Sequence, residues 1–331
     1  MYRSSGRDMN IPGFTQVDIN EVENRLVIGV ADSASLRLMR TRLSSRLPAA
    51  AFDVRIIGRT NVDATLQQQV RPLVGGLQIE INSGYCTLGF TAYRQTGDWL
   101  SGFTIDTTGK YFVTASHCTS VFGTNNSNTV GQPSSSQQIG TEAVDPSLFD
   151  NTTNADCMPG RLCRYSDAAL FTMSSGVTMT HGGIAQTSGT NITITGTYNL
   201  GSICTSTCGW TGTTVLRKIG RTTGTTTGTV VQNCVTVRQN VSGVDTGRDM
   251  ICQVQTTMNS AGGDSGAPVM DSGPGTTLHG IHWGRTESVY ADPTSTSYAT
   301  FSPINNIMSE FYAASGIRIT PCSASSCTGF F

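Results

Sequence analysis

Three short segments of this chain carry a base, a carboxylate and a nucleophile in that order: Thr114-Ala115-Ser116-His117-Cys118, Ser166-Asp167-Ala168-Ala169-Leu170 and Gly263-Asp264-Ser265-Gly266-Ala267-Pro268. A serine hydroxyl attacks poorly at neutral pH, so Ser265 needs an imidazole to take its proton. His117 in turn needs a buried carboxylate, Asp167, to fix its tautomer and stabilise its cation. Glycines on both sides of the Asp264-Ser265 pair suit a tight turn whose backbone N–H groups face one point. That assigns the N–H groups of Gly263 and Ser265 to the oxyanion of a tetrahedral intermediate. Each segment alone has an ordinary reading: a capped loop, a strand-end histidine, a solvated turn aspartate. Their joint occurrence, with His117 close behind the apolar run Tyr111-Phe112-Val113, points to acyl transfer.

The elements that must hold these groups are read from composition. At 331 residues the chain can form two or three compact units; only 13% of it is charged, and it is rich in Gly, Thr and Ser. This bias favours strands and turns over helices. A net charge of −1 gives no reason to expect a nucleic acid or an anionic membrane as partner, and no apolar run is long enough to span a bilayer. Ten cysteines beside four histidines read as disulfides rather than metal ligands, and hence as an exported protein. A zinc site at Cys204 and Cys208 lacks further ligands nearby in sequence. No motif asks for a metal or a cofactor. Residues 1–20 contain no apolar signal segment, so the export signal is expected to have been removed or to lie outside this sequence.

The segments Cys86-Thr87-Leu88-Gly89-Phe90, Thr114 through Cys118, Gly220-Arg221-Thr222-Thr223-Gly224 and Gly263 through Pro268 resemble those of chymotrypsin-fold serine proteases, particularly the bacterial streptogrisin and alpha-lytic types. The resemblance covers about residues 74–331. It implies a mainly β protein with two six-stranded antiparallel barrels, the first over about 74–205 with His117 and Asp167, the second over about 206–331 with Ser265. It also implies bridges Cys86 to Cys118 and Cys234 to Cys252. Three further pairs, Cys157 with Cys163, Cys204 with Cys208 and Cys322 with Cys327, rest on proximity alone. Many relatives carry a cysteine four residues before the nucleophile; here that residue is Ala261. Bacterial relatives support the aspartate beside the nucleophile with an internal basic side chain. Here Lys218 is the candidate partner for Asp264, because an unpaired buried carboxylate is costly.

Specificity is read from the flanks of the nucleophile. Asn259, where trypsin-like enzymes carry an aspartate, disfavours basic residues before the scissile bond (P1), and Ser260 adds a hydroxyl. The segment Gly280-Ile281-His282-Trp283-Gly284 resembles that of glutamyl endopeptidases, in which a pocket histidine and a hydroxyl bind the substrate carboxylate. An imidazole and a hydroxyl can both donate to a carboxylate, a protonated His282 would add charge, and Arg285 adjoins them. A preference for Glu or Asp at P1 is expected, with a neutral or apolar residue as the alternative. Trp283 and Gly284 fall where relatives offer a strand edge to the substrate backbone. His181 and His279 are expected to be surface or structural. A catalytically silent protease-fold binding protein is the alternative from another class; the intact set His117, Asp167, Ser265 and Gly263 disfavours it.

Residues 1–73 read as a small α/β unit. Arg25–Val30 is expected as a strand, Ser33 as a helix cap, Leu36, Met39, Leu43 and Leu47 as one helical face, 52–57 as a second strand, and 63–70 as a short helix. Arg37, Arg40, Arg42 and Arg46 read as a solvated face. The unit resembles the carboxy-terminal part of streptogrisin-type pro-regions, which contact and can block the protease cleft. A permanently attached accessory domain is the equal alternative.

Overall fold

The computed structural model describes residues 11–57, 65–98, 100–198, 203–204, 208–210, 212–273, 276–286, 297–322 and 327. The chain divides into two compact units, Met1–Asp63 and Ala64–Phe331. The division falls before residue 73 because Leu66 and Leu73 are buried in the core of the second unit. Residues 65–70 form turns and bends rather than a helix, while 63 and 64 lie outside the described residues.

The first unit is a three-stranded sheet with one helix. Arg25–Val30 lies in the centre, antiparallel to Phe14–Asn20 and parallel to Phe52–Ile56. Helix Ser33–Ser44 makes the crossover between the two parallel strands. Its cap is Asp32, one residue before the expected Ser33, because the extended Asp32 backbone lets Oδ1 accept from Ser35 N at 2.7 Å. Leu26, Ile28, Val30, Met39, Leu43 and Val54 are its buried core. Arg37, Arg40, Arg42 and Arg46 are exposed, and Arg40 Nη2 donates to Val54 O at 3.3 Å.

The second unit contains two closed barrels. In the first, Gly84–Thr87 turns at Leu88 and Gly89 and continues as Phe90–Asp98. This places one bent strand at both ends of the order formed with Gly102–Thr114, Ala169–Met173, Gln138–Val144, Thr129–Gly131 and Gln78–Ile81. Six strands thus close on themselves around Phe90, Phe112, Leu170 and Phe171. In the second barrel, Val215–Gly220, Gly224–Val241, Val244–Thr256, Ala299–Pro303, Thr277–Arg285 and Pro268–Asp271 pair in sequence around the ring. Leu216, Val230, Val254, Val269 and Phe301 fill it. Closure leaves no unpaired edge within either ring. The chymotrypsin-like double barrel that the resemblance implies is therefore present.

The carboxy-terminal stretch departs from the expected partition. Helix Ile304–Ser315, capped by Gly316 at φ 70°, buries Ile304, Ile307 and Phe311 in a core cluster that takes side chains from both barrels. Strand Arg318–Thr320 then pairs with Phe90–Asp98. The chain thus returns to the first barrel after completing the second.

Disulfides join Cys86 to Cys118, Cys157 to Cys163, Cys204 to Cys208, Cys234 to Cys252 and Cys322 to Cys327. Cys204, Cys234 and Cys252 bring their sulfurs within 4.8 Å of one another, but as disulfide sulfurs they offer no thiolate to a metal.

Candidate active site

His117 sits in a single turn, Ser116–Cys118, directly after strand Gly102–Thr114, and Asp167 lies just before strand Ala169–Met173. These strands are paired, Ala169 opposite Thr114, so the register of the first barrel brings the two side chains together. His117 Nδ1 is 2.7 Å from Asp167 Oδ2, and His117 N donates to Oδ1 at 3.0 Å. With Nδ1–H directed at the carboxylate, Nε2 is left to accept from Ser265 Oγ at 2.8 Å. Burial works against the charged form of Asp167, but the imidazole and its hydrogen bonds hold this carboxyl below the ordinary range. Burial lowers His117 too, yet the charge and hydrogen bond of Asp167 outweigh it and raise the imidazole above its ordinary value.

The loop that carries Ser265 is built on close backbone approach between the barrels. Thr87 N donates to Ser265 O at 2.8 Å, Thr87 Oγ1 to Gly263 O at 2.8 Å, and Thr114 Oγ1 to Thr87 O at 2.8 Å. Gly266 has φ +91°, and a Cβ there would stand 2.2 Å from Thr87 O, so both conformation and space demand glycine. Within the loop, Asp264 N, Gly266 N and Ala267 N bond to Ala261, His282 and Asp264 carbonyls, whereas the N–H groups of Gly263 and Ser265 bond to none of the described residues. Asp264 is fully buried. Its Oδ2 accepts from Lys218 Nζ at 2.9 Å, Thr223 Oγ1 at 2.7 Å and Ala261 N at 3.1 Å, and its Oδ1 from Thr222 N and Thr223 N. Burial opposes the ionised form, and Lys218 with these donors overcomes it, keeping Asp264 below the usual carboxylate range.

A second buried network, not anticipated from sequence, lies behind His117 and Asp167. Arg164 is fully buried; Nη1 meets Asp145 Oδ1 at 2.7 Å, Nη2 donates to Ala168 O at 2.8 Å, and Nε lies 3.8 Å from Glu310 Oε2. Asp145 accepts from Ser116 Oγ at 2.8 Å, and Glu310 accepts from Tyr165 N at 2.8 Å and Ser166 Oγ at 2.5 Å. The residues immediately before His117 and Asp167 are thus held by carboxylates that share one guanidinium. Gln253 makes a further link, accepting from Ser302 Oγ and Trp283 Nε1 at 2.8 Å each, while Ser302 Oγ accepts from Asp167 N at 2.9 Å. The sequence does hold a signal for part of this: Glu310 is the one charged residue in helix Ile304–Ser315, and Arg164 ends strand Leu162–Arg164 directly after Cys163.

The expected pocket residues fall on two walls beside Ser265. Asn259 is exposed and Ser260 is buried on one; His282, Trp283 and Gly284 follow strand Thr277–Arg285 on the other, with Trp283 O 3.5 Å from Ser265 Oγ. A cavity of about 560 Å³ is lined by His117, residues 237–243, Trp283, Gly284 and Arg285 among others; Trp283 and Gly284 reach it, whereas Asn259, Ser260 and His282 do not line it. The surroundings of His282 work against the protonated form considered from sequence. Burial, with Lys218 next in weight, pushes this imidazole down to about 3. Its Nδ1 has no hydrogen-bond partner among the described residues. His279 is structural: Nδ1 accepts from Trp210 Nε1 and Nε2 meets Asp271 Oδ1, each at 2.8 Å. His181 Nε2 donates to Thr320 O at 2.9 Å.

No protein-family model and no curated protein matches this sequence. Among solved structures the chain is similar to protease A of Thermobifida fusca, at 24% identity and a TM-score of 0.47, over 74% of this chain and 97% of that one. It is similar to a Cellulomonas bogoriensis chymotrypsin at 19% identity and a TM-score of 0.46, over 75% and 98%. It is also similar to a glutamic-acid-specific serine protease that uses a histidine triad in substrate binding, at 22% identity and a TM-score of 0.47, over 75% and 100%.

Proposed function

We propose that this chain is a secreted serine endopeptidase of the chymotrypsin-fold class that cuts polypeptides through an acyl-enzyme, with acidic residues preferred at P1. The observation that carries the reading is the continuous line Ser265 Oγ, His117, Asp167 at 2.8 and 2.7 Å, ending beside two backbone N–H groups that bond to nothing in the described residues. His117 Nε2 takes the Ser265 proton as Oγ bonds to the substrate carbonyl carbon, and the resulting oxyanion accepts from Gly263 and Ser265 N–H. The imidazolium gives that proton to the leaving amine, the C–N bond breaks and an ester to Ser265 remains. Water then attacks the ester, its proton passes to His117, the C–Oγ bond breaks and Ser265 recovers its hydrogen.

Lys218 and Asp264 shape the oxyanion loop without any need for an inserted chain terminus. Asn259, Ser260, His282, Trp283 and Gly284 form the substrate wall, along which a peptide adds as a strand. Five disulfides support an extracellular setting, and among the described residues no helix is long and apolar enough to cross a membrane. Residues 1–73 act as a pro-region or accessory unit.

Fluorophosphonate labelling tests the assignment. Wild-type protein with a free cleft should be labelled, and Ser265→Ala should lose both the label and about 10⁶-fold in kcat. An unlabelled wild type would return the chain to the class of silent binding proteins.

A further inference from the structure

The carboxylate of Asp167 is fully buried, so an oxygen there that lacks donors costs free energy. His117 N meets Oδ1 at 3.0 Å and His117 Nδ1 meets Oδ2 at 2.7 Å. Other donors close by are spent elsewhere. Ser302 Oγ, which accepts from Asp167 N, gives its hydrogen to Gln253 Oε1, as does Trp283 Nε1. Among the described residues, one donor from outside His117 reaches the carboxylate: Gln239 Nε2, 3.5 Å from Oδ2.

Gln239 comes from the second barrel. It lies near the end of the hairpin formed by Gly224–Val241 and Val244–Thr256, between exposed Arg238 and exposed Asn240, yet it is itself only 4% exposed. The strand pairing accounts for its aim. Arg238 faces Asp249 and Asn240 faces Asp245, so the partner strand sets Thr246, Gly247 and Arg248 against Gln239 alone. Such a bulge re-aims a side chain, a device common beside active sites, and Gly247 at φ +78° accommodates it. Thr246 Oγ1 donates to Gln239 O at 2.8 Å and stands 3.4 Å from Gln239 Oε1. With its carbonyl end turned to that hydroxyl, the amide presents its NH₂ to Asp167. Gln239 and His117 also line one cavity.

We propose that Gln239 is a positioning residue: from the second barrel its amide steadies the Asp167 carboxylate of the first, and through it the orientation and proton affinity of His117. The proposal rests on the protease reading above and goes beyond it by adding a fourth side chain to the line of Ser265, His117 and Asp167. At 3.5 Å the bond is the longest on this carboxylate, as such bonds often are before substrate is bound. A donor on Oδ2 draws off negative charge, so it fixes the carboxylate while moderating its pull on the imidazolium. The other charged or titratable groups around the pair are Arg164 with its two carboxylates, His282 and Arg285 on strand Thr277–Arg285, and Arg238 with Asp245 and Asp249 on the hairpin. The substitutions below leave all of them in place.

Gln239→Met keeps the length of the side chain and removes the donor. Active sites are counted by fluorophosphonate titration, and kcat and KM are followed from about pH 5 to about pH 9. In this variant kcat should fall roughly 10-fold with little change in KM, the low end of what a hydrogen bond to a charged group contributes. The acid midpoint of kcat/KM should rise by about half a unit, because the carboxylate facing the imidazolium then carries its charge undiminished. Loss of packing alone would not move that midpoint upward. In an Asp167→Asn background the same substitution should change kcat less than about 2-fold, since the group it acts through is gone. Thr246→Val, which frees the amide without removing its donor, should move both readouts in the same direction by less, and it decides the matter if Gln239→Met does not fold. The titration of His117, followed by NMR in the full chain, should show the same rise with no substrate present. A midpoint that stays or falls, an undiminished effect in the Asp167→Asn background, or a change confined to KM would each overturn the proposal. A wild type that fluorophosphonate does not label would remove the protease reading instead, and the NMR midpoint would still decide for or against Gln239.

Discussion

On the side that carries His117 and Asp167, one buried guanidinium is shared by two carboxylates, Asp145 and Glu310, which lie outside the Ser265, His117 and Asp167 line. On the side that carries Ser265, one buried ammonium meets one carboxylate, and that carboxylate, Asp264, directly precedes Ser265. The titration of the two arrangements differs in sign. Burial, resisted by Arg164, raises Asp145 and Glu310, whereas Lys218 and four further donors bring Asp264 below its ordinary value. A depressed carboxylate contributes stability above its unfolded pKa that is lost as pH falls through the folded value. A raised one contributes stability below its unfolded pKa that is lost as pH rises through that value toward the folded one. Acid should therefore loosen the Ser265 side while the Arg164 network resists it. The shared cation braces the segments that precede His117 and Asp167; the Lys218 pair holds the turn that carries Ser265.

The largest expected effect that separates the sides comes from Asp167→Asn. The amide would direct a hydrogen at Nδ1 and favour the wrong His117 tautomer, and kcat should fall about 10⁴-fold, as seen for such triads generally. The protonated imidazole cannot accept the Ser265 hydrogen, so the acid limb of kcat/KM in the wild type should lie above the ordinary imidazole pKa. In Asp167→Asn its midpoint should move down, because the raising influences are removed and burial remains. A limb that stays in place would mean that another group sets it. Next in size is Lys218→Met, which leaves Asp264 buried and unpaired. A loss of about 3–5 kcal/mol in stability is expected. Active molecules should show kcat lowered roughly 100-fold with little change in KM, as the oxyanion donors shift. A change in KM alone would place Lys218 with substrate binding instead.

The same contrast governs what sequence can disclose. The Ser265 side is local: Asp264 adjoins the nucleophile, and Lys218 precedes the Gly-Arg-Thr-Thr-Gly turn whose Thr222 and Thr223 also bond Asp264. The order of His117, Asp167 and Ser265 is equally legible, because each lies in a short local motif; the barrel architecture follows only from the resemblance that those motifs carry. The brace on the other side joins Asp145, Arg164 and Glu310, which come together only when helix Ile304–Ser315 returns to the first barrel. Nothing in the spacing of these residues announces that return. His282 shows the complementary difficulty: its type suits a carboxylate, but whether it is charged depends on burial by strands distant in sequence.

Glu310→Gln gives the smallest effect and bears most directly on the shared cation. The amide keeps the size of the side chain and one carbonyl to accept from Tyr165 N or Ser166 Oγ, while removing the charge. Arg164 lies 3.8 Å from Glu310 but 2.7 Å from Asp145, so its stronger partner remains. A loss of about 1–2 kcal/mol in stability, on the scale of one hydrogen bond, is expected. With Ser166 less firmly held, kcat should fall less than about 10-fold, a change near 1.4 kcal/mol at most, at constant KM. Arg164→Met, by contrast, leaves Asp145 and Glu310 both buried without their cation and should cost at least as much as Lys218→Met. Thermal melts and kcat measured side by side on the three variants decide the matter. If Glu310→Gln proves as damaging as Lys218→Met, Arg164 does not hold two interchangeable carboxylates. Glu310 would then be as necessary to the Asp167 loop as Lys218 is to the loop of Ser265.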